Sequence, residues 1–148
     1  MADFFVLGVD PGLTTGVALI RSTPVLSRIE MMGQRSPDEV VATLHKARDY
    51  RVGRLGFMYL AYETFVGAGP RTKESSLTQE LVGYLKYSAA DFGFVPCPQT
   101  NQSRKAFVAS ASELAGDQFP DTKFRVHELD ALAHALRCRD SVLRGLVS

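Results

Sequence analysis

Asp10 closes an apolar run, Phe4 to Val9, and is followed by Pro11, Gly12, Thr14, Thr15 and Gly16. A carboxylate in this setting has two readings of equal weight. It caps an Asx-turn ahead of the proline, or it is a ligand in a glycine-lined turn where backbone comes close to a phosphate or metal. Glu63 closes a second apolar run, Phe57 to Tyr62, where a carboxylate is costly to bury unless an arginine from elsewhere or a metal ion pairs with it. His127 and Asp130 are three apart, so on a helix both project from one face. Singly, Asp130 is explained by the helix dipole and His127 as a surface or structural histidine. As a set, three carboxylates and one imidazole suit Mg²⁺ or Mn²⁺, and a pair of such ions activates water and steadies the leaving oxygen in phosphodiester cleavage.

The elements that must position these residues follow from periodicity and punctuation. Phe4 to Asp10 reads as a buried strand stopped by Pro11-Gly12. Gly16 to Arg21 and Val25 to Met32 read as two further strands of an antiparallel meander, turning at Ser22-Thr23-Pro24. Ser36, Pro37 and Glu39 form a helix start with a capping box, and Val40, Val41, Leu44 and Ala47 carry that helix to about Tyr50. Leu55 to Glu63 is a strand, Phe65 to Thr72 a glycine-rich loop, and Lys73 to Asp91 a long helix. Phe94 to Cys97 is a short strand stopped by Pro96 and Pro98. Helices over Gln102 to Leu114 and Val126 to Leu143 follow, with a polar loop from Gly116 to Arg125 between them. This order predicts an α/β fold with a five-stranded mixed sheet flanked by helices.

A chain of 148 residues fits one domain, 1–148, and its 45% hydrophobic and 22% charged residues are those of an ordinary globular protein. No apolar run approaches the roughly 20 residues needed to span a bilayer, and the start lacks the basic n-region of an export signal. A cytoplasmic protein without membrane contact is expected. Cys97 and Cys138 lie far apart without metal-ligand spacing and read as reduced and incidental. The net charge of +1 leaves nucleic acid open as a partner, since phosphate binding needs a local patch and not a basic total. Leu77, Leu81, Tyr84, Leu85 and Ser88 make one stripe of the long helix, with Val82, Ala89 and Phe92 beside it. That is more apolar surface than one core should need, so a homodimer is expected.

Leu7-Gly8-Val9-Asp10-Pro11-Gly12-Leu13-Thr14-Thr15-Gly16 resembles the first motif of RuvC-type Holliday junction resolvases, Tyr62-Glu63 the second, and His127-Glu128-Leu129-Asp130-Ala131-Leu132-Ala133 the helical third. The resemblance covers nearly the whole chain and is closest to short bacterial or phage members. It implies an RNase H-like fold and a homodimer with one site per subunit in a bacterial cell or phage-infected host. It also implies Mg²⁺- or Mn²⁺-dependent cutting of branched DNA, four-way junctions above all. Asp10, Glu63, His127 and Asp130 would be both the catalytic residues and the ligands of two ions, with His127 standing where many members carry Asp. Arg71 and Lys73, beside the glycine loop, could meet phosphates, and Phe65 could stack on an unpaired base or anchor its loop. Arg104 and Lys105 open a helix in the region resembling the family's DNA-contacting helix. Lys123, Arg125, Arg137, Arg139 and Arg144 could extend a basic surface, while His45 and His134 read as surface or packing residues. Two other classes share this core: a non-catalytic nucleic-acid-binding RNase H-fold protein, and an ATP-binding domain of the actin and hexokinase-like group. The latter needs a second glycine-rich phosphate motif, which the chain does not show.

Overall fold

An unbroken apolar run suits a strand covered on both faces, and Phe4–Asp10 (β1) is buried at all seven positions. In the computed structural model of the protein, which describes residues 3–52, 56–64, 73–100 and 104–147, the other strands are Thr15–Ser22 (β2), Ser27–Arg35 (β3), Met58–Glu63 (β4) and Val95–Gln99 (β5). They form one sheet in the order β3-β2-β1-β4-β5. The first three strands are an antiparallel meander, whereas β4 pairs parallel with β1 and β5 parallel with β4. The helices are Pro37–Val52 (α1), Lys73–Phe92 (α2), Val108–Gln118 (α3) and Val126–Leu143 (α4). This is the mixed α/β sandwich that the element order predicts.

Alternation along the strands divides the core in two. Phe5, Leu7 and Val9 with Leu60 and Tyr62 pack on α1 and α2 through Leu44, Leu81 and Leu85. Phe4, Val6, Tyr59 and Ala61 face the opposite way, onto α3 and the alanine-rich face of α4. That second face carries the site, because Asp10 and Glu63 continue its rows.

The closeness of α4 to the sheet has a specific cause. A Cβ placed on Gly16 would stand 1.8 Å from the His127 carbonyl oxygen, and one on Gly8 would stand 2.1 Å from that of Ala131. Only glycine lets the helix backbone lie this near β1 and β2. Gly12, in contrast, has nothing nearer to an added Cβ than the Thr14 oxygen at 3.4 Å. The glycines of the Asp10 segment therefore serve helix seating as much as the turn.

Several expected boundaries move. The capping box forms as expected, with Ser36 Oγ accepting from the Glu39 amide and Glu39 Oε1 from the Ser36 amide. The β2–β3 turn falls later, at Thr23–Leu26, where the Thr23 amide donates to the Leu26 carbonyl. Pro96 and Pro98 do not stop β5, which runs through both. It is an edge strand, and alternate residues turn their amide side away from β4, so two missing donors there break no ladder bond. The helix expected over Gln102 to Leu114 is instead a helical turn at Arg104 and Lys105, a turn at Ala106 and Phe107, and then α3, which includes Gly116. On α2, Val82 and Ala89 are not surplus: they are buried with Leu81 and Leu85 in this chain's own core. Its one strongly exposed large hydrophobic side chain among the described residues is Tyr87. The apolar excess that argued for a homodimer is thereby largely absorbed within one subunit. Cys97 and Cys138, distant in sequence, are free thiols buried in the same core cluster. Among the described residues no helix is long and apolar enough to cross a membrane.

Candidate active site

Register brings the two strand-end carboxylates together. Val9 pairs with Tyr62 in the parallel β1–β4 ladder, so Asp10 and Glu63, each one residue further on, end adjacent strands on the same face. Gly16 is the cross-strand partner of Asp10 on one side, and Gln99 that of Glu63 on the other. Over this row lies α4. Glu128 caps it, its Oε1 accepting from the Arg125 amide at 3.0 Å, so the middle carboxylate of His-Glu-Leu-Asp is spent on the helix end. His127, Asp130 and His134, at helical spacings of three and four, remain to face the sheet.

Asp10 Oδ2 stands 3.0 Å from His127 Nδ1. The turn after Asp10 is held separately, by Thr15 Oγ1 donating to the Gly12 carbonyl at 3.0 Å. Asp130 is paired with Arg104 Nη1 at 2.5 Å, both side chains mostly covered. Glu63 Oε2 lies 3.4 Å from His134 Nε2. Ligand atoms of Asp10, His127 and Asp130 all lie within 4.8 Å of one another, and so do those of Asp10, Glu63 and His134. Asp10 belongs to both groups.

The charges are unevenly supported. Burial pushes the Asp10 carboxyl above its ordinary range, and the negative Asp130 and Glu63 push the same way against the hydrogen bond with His127. The Glu63 carboxyl is held below its ordinary range, first by the His134 imidazole and also by Arg104, against partial burial. A buried carboxylate pressed upward by two like charges is stabilised by a cation arriving between them. Oxygen donors with imidazole nitrogen could hold a divalent cation, and Asp10 is shared between the two groups.

All four residues singled out by the sequence, Asp10, Glu63, His127 and Asp130, stand at this one place. Of the residues expected to meet DNA, Lys73 begins α2 and Lys105 lies in the helical turn before α3, both exposed. Arg104 is not a free phosphate contact as it stands, because it turns inward onto Asp130. Phe65 and Arg71 lie outside the described residues. Of the remaining basic residues, Arg137 and Arg144 pair with Asp140, Arg139 bonds Ser22 and Thr23, and Arg125 bonds Gln34. His45 is exposed and lies against Phe92, as expected. His134 corrects the reading: it is a fully buried member of the site. Its signal in the sequence was the helical spacing from His127 and Asp130, which a count of acidic motifs passes over.

No protein-family model and no curated protein sequence matches the chain. Solved structures do. RuvC of T. thermophilus in complex with a Holliday junction substrate superposes with a TM-score of 0.70 at 16% identity, covering 98% of each chain. A second Thermus thermophilus RuvC structure gives 0.69 at 16% identity, covering 98% of this chain and 99% of that one. The fold is that of RuvC. End-to-end coverage in both directions means that the RuvC architecture accounts for the meander, the parallel pair and the final helix together. At this identity the likeness speaks for the backbone, and the chemistry rests on the residues just described.

Proposed function

We propose that the chain is a metal-dependent endonuclease that resolves four-way DNA junctions and cuts related branched DNA. The observation that carries this reading is the convergence of Asp10, Glu63, His127 and Asp130 on the ends of β1 and β4 within a RuvC fold. Asp10, Glu63, His127 and Asp130 would hold two divalent ions. When bound, such a pair supplies an activated water and neutralises the leaving oxygen of a phosphodiester. The residues of the chain do the rest. Asp10 and Glu63 orient the site from rigid strand ends, and the α4 residues set the depth at which a phosphate comes to rest. His127, whose side chain is 49% exposed, lies on the approach. Arg104, through its pairing with Asp130, would hold that carboxylate in place toward the cation. Lys73 and Lys105, with Arg71 and Phe65, would hold the flanking DNA through phosphate contacts and stacking.

Paired incision would use two copies of the chain, and homodimerisation belongs to this reading through the family resemblance. The test is a cleavage panel of four-way, three-way, flap, linear and RNA–DNA hybrid substrates with Mg²⁺ and with Mn²⁺, run beside Asp10→Asn. Cutting concentrated on branched DNA, and lost by orders of magnitude in the variant, is the expected result. Normal cutting by Asp10→Asn removes the nuclease assignment.

A further inference from the structure

His134 is the one fully buried histidine of the described chain, and its Nε2 has no hydrogen-bond partner among the described residues. Its other nitrogen is tightly specified. Gln99, itself buried, donates through Nε2 to the His134 backbone carbonyl at 2.9 Å, and this leaves Gln99 Oε1 at 2.9 Å from His134 Nδ1. Flipping the amide would set oxygen against that carbonyl, so the orientation is settled by the backbone. An amide oxygen only accepts, and therefore Nδ1 carries the proton. In the neutral ring Nε2 then holds a lone pair, and that lone pair faces Glu63 Oε2 at 3.4 Å and the Asp10 carboxylate beyond it. A buried ring nitrogen without a hydrogen-bond partner, set beside two carboxylates, is satisfied by a cation placed among the three.

We propose that His134 Nε2 is a ligand of the second metal ion, completing with Asp10 and Glu63 a site that the acidic motifs alone leave open. This rests on the nuclease reading above and adds the residue that distinguishes the two ions. Ligands about 2.1 Å from an ion stand roughly 3.0 Å apart at right angles and about 4.2 Å apart when opposed. The 3.4 Å between His134 and Glu63 falls within that span. Gln99 is then the positioning residue, its amide oxygen accepting from Nδ1–H as the outer partner of a ligating imidazole does. With His127 in one set and His134 in the other, each ion would have one nitrogen donor, which moves the site from Mg²⁺ toward Mn²⁺.

The test uses the full chain labelled with ¹⁵N-histidine and ¹¹³Cd²⁺ as a diamagnetic probe. The chain has three histidines, and His127→Ala and His134→Gln assign their signals. The expected result is cadmium–nitrogen coupling at both His127 and His134, with His134 in the Nδ1–H form. His134→Gln should lose one coupling, and binding of Cd²⁺ and Mn²⁺ at one of two sites should weaken on the order of 10- to 100-fold. Coupling at His127 alone, with His134 doubly protonated in the loaded protein, would overturn the proposal: His134 is then a hydrogen-bond donor to Glu63, and the nuclease reading stands. Unchanged affinity in a folded His134→Gln overturns it equally. Absence of cadmium coupling at both residues, together with no binding of Mn²⁺, overturns this inference and the metal-dependent reading together.

Discussion

Replacing Gly16 by alanine tests the link between packing and chemistry, because glycine has no side chain that could ligate a metal. The added Cβ would begin 1.8 Å from the His127 oxygen, 2.3 Å from its carbonyl carbon and 3.0 Å from the Glu128 nitrogen. All three are backbone atoms, so no rotamer change relieves the contact. Reaching even 3.0 Å requires the first turn of α4 to withdraw by about 1.2 Å, and overpacking of this kind costs about 2 kcal/mol. For a chain of this size that lowers Tm by about 4–8 °C. The same withdrawal carries His127 and Asp130 away from Asp10, opening the 3.0 Å contact between Asp10 and His127. A misplacement of about 1 Å in a reacting constellation slows turnover on the order of 10²-fold. Calorimetry and single-turnover cleavage of a four-way junction read the two effects separately. Gly83→Ala and Gly116→Ala are the controls: both lie in helices with nothing within 4 Å of the new methyl, so each should stabilise by about 0.5–1 kcal/mol without touching cleavage. Wild-type Tm and wild-type cleavage in Gly16→Ala would refute the seating argument. A lowered Tm with normal cleavage would show that close packing of α4 supports the fold but does not position the site.

Three further outcomes are expected. In metal-free protein at pH 7, Asp10→Asn should melt higher than wild type, because the raised carboxyl opposes folding once ionised. That advantage should fade as pH falls through the raised folded value and be gone once pH reaches the ordinary Asp value near 3.8. Glu63→Gln should do the reverse, melting lower at pH 7, since the stability its depressed carboxyl supplies is present above the ordinary value of 4.5 and is lost as pH falls through the lower folded value. Thermal melts across pH check both, and equal behaviour of the two variants counts against the assigned shifts. His127→Asp should retain cleavage with an altered Mg²⁺ to Mn²⁺ ratio, while His127→Ala should fall by orders of magnitude in both metals; normal cutting by His127→Ala would leave three carboxylates as the ligands. Lys105→Ala and Lys73→Ala should each reduce the salt dependence of junction binding by about one unit of slope, with little change in turnover at saturating DNA. A salt series superposing on wild type would move the DNA path elsewhere.

Much of the architecture was written locally. The unbroken run of β1, the Ser36 and Glu39 capping box and the period of α2 are each decided by residues near one another in sequence, so they could be read without knowing what packs where. The acidic residues were legible for the same reason: a carboxylate ending an apolar run is conspicuous, and His127 and Asp130 share a helix face by spacing alone. What lay beyond the sequence was everything set by long-range register. Parallel pairing of Val9 with Tyr62 puts Asp10 beside Glu63, and close approach at Gly8 and Gly16 seats α4 over them. A glycine that admits a distant helix looks, in sequence, like a glycine that makes a turn. Arg104 looked like a DNA contact until the break before α3 turned it toward Asp130. His134 looked like a packing residue because its meaning depends on Gln99 and Glu63, which reach it from two other strands. Local pattern determines which elements form and which residues end them. Only the tertiary structure, through strand register and the distance of closest backbone approach, decides which of those ends meet.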